Sequence, residues 1–427
     1  MSGEAATASP PTPARHGRLP AVIVAFLMFL TTMGSNAPSP LYVIYQHKFH
    51  FSALIVTAVF ATYAGTVMLA LFTVGHLSDL IGRKKMLVPA LFLLGISALL
   101  FAAARGTGWL FAARAVQGLA TGTITGAATA ALVELDPAGD RHRASYINTV
   151  MFITGAAVGP LLFGIAAQYF PAPLVFPFAI EGGLIVVGLF GVKALPETVS
   201  RTDGPVWQMQ RPSVPRPVLG PFIVAVLALG VAWGIGGLYG ALSASIDRSL
   251  LHVHSHAVAG VVLFVFAGIG GVSQLSLRRW PALRSIVVGT VATAVGMGLV
   301  YAGLVATNVA IFMAGTLLAG AGSGVSFMGS LVLVNHVAPP ARRAEVVSAW
   351  NLIGYIALSA PAVGVGLLTG VTGLRNATGV FTAAIIGLSA VTVVAALMTP
   401  RQPLAKLSED ELMALGMDPA VIASGTG

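Results

Sequence analysis

Gly75-His76-Leu77-Ser78-Asp79-Leu80-Ile81-Gly82-Arg83-Lys84-Lys85 is a short charged turn held between two long apolar runs. Its glycines permit a tight reversal. Asp79 precedes Arg83 by four residues, the spacing at which a carboxylate and a guanidinium share one helical face. Three consecutive basic residues at the edge of an apolar run mark the cytoplasmic side of a membrane, because Lys and Arg resist transfer across the bilayer. Read this way, the turn predicts an all-α polytopic membrane protein.

Composition agrees. The chain is 56% hydrophobic and 9% charged, with a mean hydropathy of +0.89, whereas soluble domains carry about 25% charged residues. A water-soluble globule is excluded. The 427 residues accommodate about a dozen spans of roughly 20 residues each with short connections. The net charge of +9 would suit a nucleic-acid partner, but its distribution points to a membrane instead. Of 23 Lys and Arg, 18 fall in the tails and every second loop, while Lys48, Arg105, Arg248 and Arg375 fall on the other side and Arg114 lies inside a span. That bias predicts both termini in the cytoplasm, an even number of crossings, and a plasma membrane, bacterial inner membrane in type. There is no Cys, so disulfides and thiolate metal sites are excluded.

Apolar runs place spans near 20–45, 52–75, 86–104, 108–134, 144–168 and 173–195, then 218–243, 257–277, 284–306, 308–337, 346–370 and 376–399. Two runs exceed one helix and are split at Gln168-Tyr169-Phe170-Pro171-Ala172-Pro173 and at Thr307-Asn308. The expected organisation is a disordered tail 1–18, a six-helix bundle 19–195, a Pro- and Arg-rich linker 196–217, a second six-helix bundle 218–399 and a tail 400–427. The first apolar run is too long for a signal-peptide core and lacks a cleavage site, so it is read as a span. Ser408-Glu409-Asp410-Glu411 predicts a short surface helix in the second tail. A 200-residue offset lays Gly122 on Gly322, Arg143-Ala144 on Arg343-Ala344 and Gly164 on Gly364, suggesting two pseudo-symmetric halves with a substrate site near the midplane. Gly271 to Arg279 is a degraded echo of the opening turn without its Asp.

The opening turn resembles the loop between spans two and three of major facilitator superfamily transporters, Gly-x-Leu-x-Asp-x-x-Gly-Arg-(Arg/Lys)-(Arg/Lys), with every fixed position filled by Gly75, Leu77, Asp79, Gly82, Arg83, Lys84 and Lys85. The resemblance implies the twelve-span fold of that family, of the drug-exporter type, and alternating access. It also implies that Glu134 pairs with the basic turn, so that Asp79, Arg83 and Glu134 clamp the inner gate in an outward-open state. An ordinary solvated ion pair, worth about 0–1 kcal/mol, is the alternative.

Arg114-Ala115-Val116-Gln117-Gly118 is similar to the family's fourth-span pattern Arg-x-x-Gln-Gly, which implies a role for Arg114 and Gln117 in proton coupling and substrate-site polarity. A centred charge costs about 2.5–3.5 kcal/mol on insertion scales, so it normally faces a partner or a polar cavity. Snorkelling to the interface is the alternative. Gly118, Gly122 and Gly126 form a stripe that permits close helix packing. In the fifth span, Gly155, Gly159, Pro160 and Gly164 resemble the antiporter signature Gly-x-x-x-Gly-Pro-x-x-Gly-Gly, with Phe163 departing from it. The plain reading is a proline-kinked helix packed on glycine. Asn36-Ala37-Pro38-Ser39-Pro40-Leu41-Tyr42 is similar to a first-span exporter signature, and its prolines predict a bend near the outer end.

Glu181 is read as the carboxylate well inside a span, a proton- or cation-binding candidate because low dielectric disfavours its charged form. Span six is expected to flank the bundle, so an interfacial position is the alternative. No acid stands in the first span, where many proton-driven relatives carry one. Thr32, Asn36, Tyr63, Trp233, Tyr239, Asn335, Trp350, Asn351 and Tyr355 are candidates for a cavity lining that would suit an amphipathic, non-acidic ligand. His252, His254 and His256 alternate in an outward loop and are read as surface residues rather than a zinc site. No phosphate-binding glycine loop is present, so ATP is not the direct energy source.

The expected function is secondary active transport, proton-coupled export of an amphipathic or drug-like compound, with uptake of a sugar, organic acid or other metabolite as the alternative. A passive channel or membrane-embedded enzyme is disfavoured. No cofactor, metal or catalytic residue is expected. The partners are a small-molecule substrate, a proton and the bilayer, with the chain a monomer.

Overall fold

The computed structural model describes residues 18–74, 77–137, 139–198, 212–251 and 255–399, without the side chains of Asp79 and Ala341. Among the described residues there is no strand, and twelve helical stretches are long and apolar enough to cross a bilayer. Such a chain is a multi-pass membrane protein, since helices satisfy their own backbone hydrogen bonds in lipid. The expected tail helix at 408–411, most of the linker, Gly75, His252 and His254 lie outside the described residues.

The first span is broken: α1 (Arg18–Asn36), a 3-10 turn (Ser39–Leu41) and α2 (Tyr42–Phe49). Pro38 and Pro40 lack the N–H that would continue the ladder, so the expected bend is a complete interruption. Then follow α3 (Ala53–Val74), the turn helix α4 (Leu77–Ile81), α5 (Arg83–Ala102), α6 (Thr107–Glu134), α7 (Arg141–Tyr169) and α8 (Phe176–Lys193). The second half holds α9 (Leu219–Leu250), α10 (His256–Ser276), α11 (Ala282–Val305), α12 (Val309–Val337), α13 (Arg343–Thr372) and α14 (Leu374–Met398). Side-chain caps set several starts: Asp140 accepts from the Arg143 and His142 amides, and Asn308 from those of Ala310 and Ile311. The expected split at Thr307-Asn308 is made by Thr307 at φ 51 followed by that cap.

One boundary corrects the sequence reading. The seventh span runs to Leu250 instead of 243. Its polar residues Ser243 and Asp247 stand one turn apart on a protein-facing side and are buried, so falling hydropathy does not end the helix. The fifth span contains Pro160 within one continuous helix, as expected for a single span.

Helices α1–α8 and α9–α14 pack mainly within their own sets. Between sets, α3 lies on α13 and α7 on α10, and the broken end of the first span lies on α9. Small residues make these approaches possible. A Cβ on Gly118 or Gly122 of α6 would strike α3, and one on Gly320 or Gly324 of α12 would strike α10. Likewise Gly164 of α7 abuts α10, and Gly366 of α13 abuts α3. The packing equivalence is therefore two residues beyond the 200-residue offset. Gly322 faces α11 instead, and Gly364 faces open space. On the perimeter Leu99, Val187, Phe190 and Leu397 are exposed, the expected state of side chains facing lipid.

The end of the bundle carrying Arg83, Lys84 and Lys85 is the basic face. At the opposite face the halves are joined by Ser245 donating to Gln46 (3.0 Å), by the His256 amide donating to Gln168 (2.9 Å), and by the apolar trio Val43, Ala244 and Ala259.

Candidate functional site

At the basic face, the turn is tied into the first half. Arg83 Nη2 lies 2.9 Å from Glu134 Oε1, its Nη1 donates to Ser78 Oγ at 2.6 Å, and Thr198 donates to the other oxygen of Glu134. The Arg83 amide, first in α5, donates to Glu197 at 2.8 Å, an acid at a helix N-terminus where the dipole favours it. Gly82 is needed there: its φ is +112, and a side chain would run into that carboxylate. Lys84 Nζ donates to the carbonyls of Lys193 (2.8 Å) and Leu195 (3.0 Å) at the end of α8, and Lys85 is exposed. The Asp79 side chain and Gly75 lie outside the described residues. The sequence reading anticipated Arg83–Glu134 but not Glu197, which sits in what was taken as linker.

Arg114 is fully buried and does not snorkel. Its Nε donates to Tyr42 Oη (2.7 Å), and its Nη1 to Ser35 O (2.7 Å) and Gln117 Oε1 (2.6 Å). Gln117 Nε2 in turn donates to Gly34 O (3.0 Å). These carbonyls end α1 where the prolines interrupt it, so they lack intrahelical donors. Arg114 and Gln117, one turn apart on α6, cap the broken first span and place a cation at its negative end. The rings of Tyr42, Phe60, Tyr63 and Phe101 surround the guanidinium at 5.3–5.8 Å. Ser35 Oγ and Thr121 Oγ1 stand 3.1 Å apart beside them. The second half keeps a weaker counterpart, Tyr239 Oη and Thr316 Oγ1 at 2.8 Å between α9 and α12.

Glu181 is 1% exposed, not interfacial. Its carboxylate occupies the space that Gly34 leaves open and interacts electrostatically with Arg114. Among the described residues neither of its oxygens has a hydrogen-bond partner, nor has Arg114 Nη2. Asp247, in the last turn of α9, is a second buried acid within a span, 2% exposed and with neither oxygen hydrogen-bonded among the described residues. The misplaced end of span seven hid it.

The fifth-span glycines are contact points. Gly155 and Gly159 abut the α1 backbone around Phe29 and Met33, and Pro160 meets Gly260 of α10. The α7 helix is thereby wedged between the first span and the second half. Of the cavity candidates, Thr32 is buried against Gly155. Tyr239 is held by Thr316, and Trp350 is 3% exposed with its Nε1 donating to Ser330 at 2.8 Å. These three belong to helix interfaces. Asn36, Tyr63, Trp233, Asn335, Asn351 and Tyr355 are partly exposed. Trp233 stands edge-on to Tyr355 at 5.1 Å and stacks on Phe327 at 6.1 Å, and Phe327 reaches Trp350 at 5.7 Å. Phe327 escaped the sequence reading because a lone Phe in an apolar span carries no signal.

The sequence matches the profile of the Major Facilitator Superfamily across residues 24–360. The chain belongs to that superfamily. Among MFS relatives, an uncharacterised MFS-type transporter of Mycobacterium tuberculosis (strain ATCC 25618 / H37Rv) is 29% identical over 194 residues, 44% of this chain and 26% of the relative. A puromycin resistance protein of Streptomyces alboniger is 28% identical over 144 residues, 33% of this chain and 27% of the relative. Each match thus spans about a quarter of the relative's length. A bacterial homologue of the human lysosomal transporter Spinster superposes with a TM-score of 0.72 at 12% identity, covering 88% of this chain and 96% of that one. A D-xylose–proton symporter gives 0.72 at 14%, covering 88% and 95%. Both superpositions agree with the MFS fold.

Proposed function

We propose that this MFS protein exports small amphipathic, drug-like compounds in exchange for protons. The observation that carries the coupling is Glu181, a carboxylate buried without a donor beside the caged cation Arg114. An ionised carboxylate held that way is costly, whereas a protonated one is tolerated. Loading and unloading a proton there can bias the broken first span against α6 and α8. Ligand class rests on the partly exposed Trp233, Phe327 and Tyr355, whose ring faces offer stacking and apolar area without fixed charge. Export is supported by the resemblance of the fifth span to the antiporter signature and by similarity to a protein named for puromycin resistance.

In this reading the basic face is cytoplasmic, the termini share that side, and the bundles 19–195 and 218–399 rock about the seam between them as a monomer. A proton crossing 100 mV supplies about 2.3 kcal/mol. Proteoliposomes with an imposed pH gradient test it: wild type accumulates or expels a fluorescent planar dye only with the gradient, and Glu181→Gln loses the gradient dependence. Gradient-independent flux in wild type, or full coupling in Glu181→Gln, sinks the assignment of that carboxylate.

A further inference from the structure

Asp247 stands near the end of α9, in the seam that joins the halves at the face opposite the basic turns. It lines a recess about one water molecule in size together with Val43 of α2, Arg248 of α9, and Ser255, His256 and Ala259 of α10. The acid is 2% exposed, and neither oxygen accepts a hydrogen bond. Ser243, one turn earlier on the same side of α9, and Ser39, in the interrupted stretch packed on α9, are also buried with unpartnered hydroxyls. The seam therefore closes over polar groups that no described residue satisfies.

Among the described residues, charged and titratable groups around Asp247 are few; His252 and His254 of the adjoining loop lie outside them. Arg248 adjoins it on α9, and His256 starts α10; neither makes an ion pair with it among the described residues. Tyr239 on α9 interacts with it electrostatically but is bonded to Thr316. On α2, His47 and Lys48 are exposed. The other helices packed on α9 bring no acid or Lys to this end: α3 holds only Tyr63, α11 Tyr301, and α14 Arg375, which donates to Val305 O. The titratable side chains of α12 and α13, His336, Arg343, Glu345 and Tyr355, lie at midspan or toward the basic face.

We propose that Asp247 is a proton-operated latch of this seam: protonated while the halves are closed here, ionised when they part and water enters. A buried carboxylate with neither a hydrogen-bond donor nor a direct ion pair among the described residues is relieved of its desolvation cost by gaining a proton or by being re-exposed. Closing this face therefore takes one proton from the aqueous phase on that side, and opening it returns the proton there. By linkage, each pH unit changes the open-to-closed ratio up to tenfold while the open and closed states differ by a full proton. The latch rests on the alternating-access reading but is independent of Glu181.

Spin labels on Ser52→Cys and Ser249→Cys, exposed serines of the two halves in a chain without native Cys, report the seam distance by pulsed electron resonance. The protein is held in nanodiscs without substrate from pH 5 to 9. Wild type is expected to move from a short-distance population at low pH to a longer one at high pH. Asp247→Asn keeps the short population throughout, and Asp247→Glu responds with a displaced midpoint. A pH-independent wild type overturns the proposal, as does a wild-type response in Asp247→Asn. So does loss of response in Asp247→Glu, which would mark a packing role. Abolition in His256→Gln with retention in Asp247→Asn would assign the response to the imidazole and also overturn it. Glu181→Gln is expected to keep the seam response, so failure of Glu181 coupling and failure of the latch give different results.

Discussion

Arg114 shows how one side chain can be both costly and indispensable. Its charge is removed from water, yet three of its donor contacts are filled, two of them by groups at the end of the interrupted first span. Arg114→Ala would orphan Ser35 O and strip Gln117 Oε1 of its donor, a loss of about 3–5 kcal/mol by analogy with breaking buried charge networks. Arg114→Lys replaces a planar fork by a point charge and is expected to recover only part. Thermal unfolding in detergent measures both, and wild-type melting in Arg114→Ala would end the capping account. That Arg114 is buried was legible from its expense in an apolar span. That it serves a broken helix was not, because Ser35 and Tyr42 are 79 and 72 residues away in sequence.

At the scale of elements, glycine position separates packing from filler. A methyl on Gly159 would overlap the Met33 carbonyl of α1, whereas one on Gly182 of α8 meets open space. Gly159→Ala should therefore lower stability by about 1–3 kcal/mol, and Gly182→Ala should leave it unchanged or raise it by up to about 1 kcal/mol. Equal melting temperatures for the two variants would contradict the close approach of α7 to α1. The turn between α3 and α5 makes a parallel case. Glu134→Gln keeps the shape but loses the charge facing Arg83, expected to cost about 1–2 kcal/mol because Glu134 is one-third exposed. Increased proteolysis of that turn would report it. Helix edges were readable from prolines, caps and hydropathy; the end of α9 was not, since Ser243 and Asp247 look like the polar start of a loop.

For the whole molecule, the decisive contact is the seam opposite the basic face. Gln46 and Ser245 face each other across it, and the protein contains no cysteine to interfere. A Gln46→Cys/Ser245→Cys pair bridged by a short bifunctional methanethiosulfonate reagent should stop transport, with activity returning on reduction. Unimpaired transport by the bridged pair would show that the seam does not open during turnover. The repeat tells the same story at this scale. Matching letters suggested a 200-residue offset, while the faces that touch place Gly118 with Gly320 and Gly164 with Gly366. Identity between small residues is cheap in a chain with 50 glycines; contact is not.

Hydrophobicity, charge cost and turn chemistry act over a few residues, so the linear order of amino acids was enough to set the count of crossings and most of their edges, while the Arg83–Glu134 pairing, 51 residues apart, was expected only from the resemblance to a family. Which acid is stranded, which carbonyl is capped and which glycine touches a neighbour depend on segments brought together from far apart. Those outcomes were decided by helix register in the folded bundle, because in lipid a polar group has no water to fall back on and its state follows from whatever the tertiary packing places beside it.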